Sequence, residues 1–270
     1  MIFKENISFI HANGFPPEAY STLLNNLSSK ITINSFLLRP LDKIKKNQIN
    51  EVKNWIPFHN DYLNSLKKEK IIGMGHSIGG NIVLRTAISN PEHFSKLILL
   101  DPTLFVPRII FMWKMIAKLN LQKQVHPWIS STLNRKMNYK NFDEIFKSYR
   151  KKNVFSKIND ENLSIYIKSI TKELSDSSLQ ITYSKEWEYK IYKTGLVADN
   201  YIWKNINKLK IPTLILKAEY SNAFITSTEK KIKRLKSSYI KIDEIMGVTH
   251  LFPLESPDII SKKILNFIIQ

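Results

Sequence analysis

The sequence predicts an α/β fold: a mostly parallel sheet of about six strands flanked by helices, with a helical cap inserted before the last two strands. Three observations predict it. Short β-branched apolar runs alternate with segments of helical period, the alternation breaks once over 104–207, and four of the seven glycines crowd into one strand-to-helix passage, GMGHSIGG at 73–80.

Strand-length apolar runs occur at 7–10 (ISFI), 31–38 (ITINSFLL), 70–75 (KIIGMG), 96–101 (KLILLD), 212–218 (PTLILKA) and 239–245 (YIKIDEI). Between most of them lie segments with apolar residues at helical spacing, over 48–66, 79–89, 225–235 and 257–267. Ser256 before Pro257 reads as a helix start, with serine capping and proline in the first turn. The stretch 104–207 carries Met, Trp and Phe at helical spacing and no convincing buried strand, so the expected organisation is a core of 1–103 and 208–270 with a helical cap of 104–207. No internal repeat or low-complexity linker separates the two, which favours a cap packed on the core over a tethered domain.

The 270 residues are 43% apolar and 11% aromatic, enough to bury a sizeable core. The formal charge of +18 invites a nucleic-acid reading, but lysine is scattered along the chain and arginine occurs only at 39, 85, 108, 135, 150 and 234. Arginine is the usual bidentate reader of phosphate and guanine, so no nucleic-acid partner is expected. With no cysteine there is no thiol nucleophile or thiolate metal site. No run approaches the roughly 18 apolar residues of a membrane span. Lys4, Glu5 and Asn6 interrupt what a signal peptide would need as an apolar core, so a cytoplasmic location is expected.

Gly75-His76-Ser77-Ile78-Gly79 matches G-x-S-x-G and sits between a strand run and a helical segment. That context fits a nucleophile elbow, where a serine occupies a strained turn and its neighbours must be small. A serine hydroxyl needs a base. His250, in MGVTHLFPLESP, follows the last strand and precedes the last helix, on the sheet edge that also carries Ser77. His76 and His11 read as structural, and His59, His93 and His126 as surface residues. An oxyanion needs two donors, the N–H of Ile78 and one from a loop after an earlier strand, and HANGF at 11–15 follows ISFI. With Gly14 and Gly247, six of the seven glycines fall in these three loops.

HANGF, GHSIGG with the following LILLDP, and GVTHLFPLESP resemble the corresponding segments of the α/β-hydrolase superfamily, in order over nearly the whole chain outside the cap. The resemblance implies Ser77 as nucleophile, His250 as general base, and Ile78 and Asn13 as oxyanion donors, with a helical cap over the site. It also implies a sheet without the two strands that usually come first. The acid is open between two residues: Asp101, at the end of the strand after the elbow, and Glu219, directly after PTLILKA, with Asp101 favoured.

The expected activity is that of a serine hydrolase acting on a small or medium apolar ester or related acyl substrate through an acyl-enzyme. Carbon–carbon bond hydrolysis, acyl transfer and non-catalytic ligand binding on the same fold are the alternatives. Phe105, Met112, Trp113, Trp128 and Trp187 are candidate pocket residues, and no metal or cofactor is expected. The stretch 109–119, apolar with interspersed lysines, is compatible with peripheral contact at a membrane surface.

Overall fold

β1 (Ile7–Ile10) leads through a single 3-10 turn at Pro17–Tyr20 into α1 (Ser21–Ser28) and β2 (Ile33–Phe36). α2 (Ile56–Ser65), β3 (Ile71–His76), α3 (Ile78–Ser89) and β4 (Phe94–Leu100) follow. The chain closes with β8 (Thr213–Tyr220), α11 (Thr226–Lys233), β9 (Ile240–Thr249), α12 (Phe252–Glu255) and α13 (Pro257–Ile269). This computed structural model describes residues 6–195 and 199–270; residues 1–5 of the expected core and 196–198 of the expected cap lie outside the described residues.

The six strands form one sheet in the order β2-β1-β3-β4-β8-β9, every neighbouring pair parallel. Parallel strands need crossover helices, which cover both faces, so central strands are apolar on both sides. In β4, Ile98 and Leu100 enter one core with Ile72, Met74 and helices α1 and α13, while Leu97 and Leu99 enter the other with α2 and α3. That period-two division is why KLILLD reads as an unbroken apolar run.

Two expectations change. The segment 48–66 is not one helix: 3-10 turns at Lys45–Asn47 and Ile49–Glu51 precede α2, because Pro57 is tolerated only in a helix's first turn. Pro257 does open α13, but the Ser256 side chain makes no capping bond.

Between β4 and β8 run α4 (Pro107–Lys118), α5 (Gln122–Val125), α6 (Pro127–Leu133), β5 (Asn138–Tyr139), α7 (Phe142–Arg150), α8 (Asp160–Ile170), β6 (Thr171–Glu173), β7 (Leu179–Ile181), α9 (Lys185–Thr194) and α10 (Asp199–Asn205). The antiparallel order β5-β7-β6 is a small sheet absent from the sequence-based expectation. Its strands, of two or three residues, are too short to show a period, and β5 and β7 meet across a long sequence separation. Tyr149, Phe155, Leu163 and Tyr166 of this segment share one apolar cluster with Phe9 of β1 and Met74 of β3.

Candidate active site

β3 runs without interruption into Ser77, and α3 begins at the next residue, Ile78. Ser77 has φ 57° and ψ −118°, a conformation that strains any residue with a Cβ by about 1–3 kcal/mol. Its backbone is fixed on both sides: its N–H donates to Leu100 O at 3.0 Å, and its carbonyl accepts from the Thr103 N–H at 2.9 Å. A Cβ on Gly75 would lie 2.3 Å from the carbonyl carbon of Gly79, and one on Gly79 would lie 2.2 Å from Ile10 O. The crowded glycines thus answer a steric need, since α3 starts in contact with both β1 and β3.

Asp101 follows β4 with φ 41° and is fully buried. A buried carboxylate without donors is costly, and this one has three. Its Oδ1 accepts from the Ala218 N–H at 3.1 Å; its Oδ2 accepts from Ser221 Oγ and from His250 Nδ1, each at 2.6 Å. With Nδ1–H committed to Asp101, His250 Nε2 is left as an acceptor. Glu219 is placed elsewhere: its Oε2 accepts the Gly247 N–H at 2.6 Å, holding the positive-φ glycine near the end of β9, three residues before His250.

His76, beside the serine, points away from it and joins three loops. The Ala12 N–H donates to Tyr20 Oη at 3.2 Å, the Tyr20 hydroxyl donates to His76 Nδ1 at 2.7 Å, and His76 Nε2–H donates to the His250 carbonyl at 2.9 Å. Burial, with His250 alongside, drives the His76 pKa well below its ordinary value, consistent with a neutral ring that must accept at Nδ1. His11 is also buried and braces its loop: Nδ1–H donates to Ala12 O at 2.8 Å and Nε2 accepts from the Leu38 N–H at 3.2 Å. Burial pushes its pKa down to about 4.

Ile78 is the first residue of α3, where N–H groups lack intrahelical acceptors and the helix dipole favours negative charge. Asn13 faces the same cavity, in a turn closed by the Phe15 N–H donating to Ala12 O at 3.2 Å. Its side chain is held by the segment between β4 and β8: Nδ2 donates to Glu188 O at 3.1 Å, and Oδ1 accepts from the Tyr183 hydroxyl at 3.1 Å. Glu188 in turn pairs with Arg135 and accepts from Thr132 Oγ1 at 3.2 Å. Burial opposes the Arg135 charge, but Glu188 and its hydrogen bond outweigh that and raise the pKa.

Ser77, His250, Asn13 and Ile78 line one cavity of about 290 Å³, together with Phe105, Trp113 and Trp128. Trp55, Thr103, His126, Tyr192 and Asn222 also contribute to the wall and carry no signal in the sequence that marks them. The Thr103 and Ser77 hydroxyls lie 3.1 Å apart. Two candidates are not in the wall. The Trp187 indole N–H donates to Lys46 O at 2.7 Å and its ring packs on Phe58, so its size serves the core; Met112 is 53% exposed. Of the histidines expected at the surface, His93 is partly exposed, His126 lines the cavity, and His59 is buried against α3 with Nδ1 2.7 Å from Thr86 Oγ1. Among the described lining residues there is no Asp, Glu, Lys or Arg.

Residues 52–257 match the family model described as Hydrolase_4: Serine aminopeptidase, S33. No curated protein matches the sequence. Among solved structures, E-2-(acetamidomethylene)succinate hydrolase is similar with a TM-score of 0.74 at 17% identity, over 98% of this chain and 92% of that one. The peroxisomal alpha-beta-hydrolase Lpx1 from Saccharomyces cerevisiae gives 0.73 at 16% identity, over 98% and 76%. The thioesterase domain from the curacin biosynthetic pathway gives 0.72 at 14% identity, over 97% and 91%.

Proposed function

Since the chain belongs to the α/β-hydrolase superfamily, through the family described as Hydrolase_4 (serine aminopeptidase, S33), we propose that it is a serine hydrolase cleaving small or medium apolar esters, or related acyl compounds, through an acyl-enzyme on Ser77. The observation that carries this reading is the pairing of His250 Nδ1 with the buried Asp101 carboxylate at 2.6 Å, in the same cavity as a serine held at φ 57°.

Ser77 Oγ attacks the substrate carbonyl carbon while His250 Nε2 takes its proton, Asp101 holding the ring's tautomer and orientation. The oxygen that gains charge is received by the N–H groups of Ile78 and Asn13. The tetrahedral adduct collapses as His250 gives the proton to the leaving alkoxide, and the acyl group stays on Ser77. Water, deprotonated by His250, repeats the sequence and releases the acid. Residues 104–207 act as the cap over this cavity, and α4, α5, α6 and α9 supply much of its apolar wall.

The wall's chemistry narrows the substrate. Recognition of a free α-amino group calls for a carboxylate, and recognition of a substrate carboxylate calls for Arg or Lys; the described lining has neither. That favours an uncharged acyl group over an amino-terminal residue or a dicarboxylate. The volume of about 290 Å³ is at the low end for small-molecule sites, in keeping with a short or medium chain.

A fluorophosphonate probe and a p-nitrophenyl ester series test the proposal. The wild type should label and hydrolyse the esters, and Ser77→Ala should lose labelling and at least ~10⁴-fold in kcat. Absence of labelling in the wild type, or labelling that survives in Ser77→Ala, would sink it.

A further inference from the structure

α4 buries Ile110 and Trp113 but turns Phe111, Met115 and Leu119 outward, 64%, 45% and 63% exposed. Spaced four apart, these three share one helical face, and Met112 beside them is 53% exposed. The apolar surface continues through Leu121 to Val125 on α5, 40% and 52% exposed. Soluble proteins seldom leave so contiguous an apolar patch open without a use for it. Trp113 and Val125 also line the Ser77 cavity, so the patch adjoins that cavity's wall.

The charge around it is one-sided. From 102 to 142 the sequence has seven basic residues and no acidic one, and Lys114, Lys118 and Lys123 on these helices are all exposed. Lysine stems lie along apolar material while their ammonium groups reach outward, the pattern of a helix lying in a membrane interface. Two copies meeting through this face would bring Lys114, Lys118 and Lys123 of one towards those of the other, which disfavours self-association.

We propose that the α4–α5 face docks reversibly on an anionic lipid bilayer and that acyl substrates enter the Ser77 cavity from that surface; the second half rests on the hydrolase reading above. Apolar side chains enter the interface, and the lysines hold the headgroups.

Flotation with Ser77→Ala protein, which cannot consume lipid, tests docking on phosphatidylglycerol–phosphatidylcholine vesicles against pure phosphatidylcholine. Binding should be confined to the anionic vesicles and fall with salt. Lys114→Gln/Lys118→Gln should weaken it about 25-fold, about fivefold per lysine, and Phe111→Ser/Met115→Ser should abolish it, with melting temperatures unchanged. In the active protein, both double variants should keep the wild-type rate on a soluble short-chain ester and lose rate on a long-chain ester carried in anionic vesicles. No flotation at low salt, equal binding to neutral vesicles, or a dimer dissociated by Phe111→Ser/Met115→Ser would overturn docking. Flotation by a protein whose Ser77 does not label would uphold docking and overturn only the hydrolase reading.

Discussion

Replacing Tyr20 by Phe removes one oxygen from the centre of the hydrogen-bonded chain that ties Ala12, His76 and His250 together. The ring would stay, edge-on to Phe9 at 5.0 Å, so packing changes little. Two buried groups lose their partners: the Ala12 N–H, which donates to Tyr20 Oη, and His76 Nδ1, which accepts from it. Tyr20 is 1% exposed and His76 is fully buried. An orphaned buried polar group costs about 1–3 kcal/mol, so the pair should cost about 2–6 kcal/mol. For a chain of this size about 2 °C accompanies each kcal/mol, giving a fall in Tm of about 4–12 °C. Calorimetry at neutral pH reads that directly. Ester kinetics should show kcat reduced with KM nearly constant, because Ala12 precedes Asn13 and His76 holds the His250 backbone. A Tm within 1 °C of wild type would refute the reasoning, since it would mean that neither group depends on the phenol.

The two carboxylates should separate cleanly in ester kinetics. Asp101→Asn should lose about 10³–10⁴ in kcat by presenting the wrong hydrogen-bonding partner to His250, whereas Glu219→Gln, which can still accept from Gly247, should stay within a few-fold; the reverse ranking would transfer the acid's role to Glu219. Acid should destabilise the fold between about pH 6.5 and 4. His11 and His59 are each pushed down to about 4 by burial, so in that window the unfolded chain binds protons that the folded one cannot, and stability falls as pH falls; above the unfolded pKa neither contributes. For His11 the loss is on the order of 3 kcal/mol. Urea titrations from pH 7.5 to 4.5 should show this decline, flattened in His59→Gln; equal slopes in the two proteins would rule out His59 as a contributor.

How much of this was legible in the sequence depended on the range of the interactions. All six strands of the large sheet lie within or beside the apolar runs that predict them, because each of those strands carries its own burial pattern. Ser77 was legible because Gly75 and Gly79 record a steric need within five residues. Asp101 could be proposed but not separated from Glu219, since the choice turns on where a carboxylate meets His250 across 149 positions of sequence. His76 reads as structural from its place beside the serine, but its partner Tyr20 and the loops the two join were invisible for the same reason. Trp187 shows the opposite failing, an aromatic at helical spacing whose destination, core or cavity, composition does not decide.

Asn13 is held by Glu188 O and the Tyr183 hydroxyl, and both come from the segment that walls the cavity. Swinging that segment outward would break those bonds and loosen Asn13 in the very loop that is proposed to receive the oxyanion. Admission and reactivity are then interlocked: a wide-open enzyme would be a disarmed one. Exposed to bulk water, Ser77 would have one of its two proposed oxyanion donors less firmly held, and idle turnover outside the closed state would be reduced.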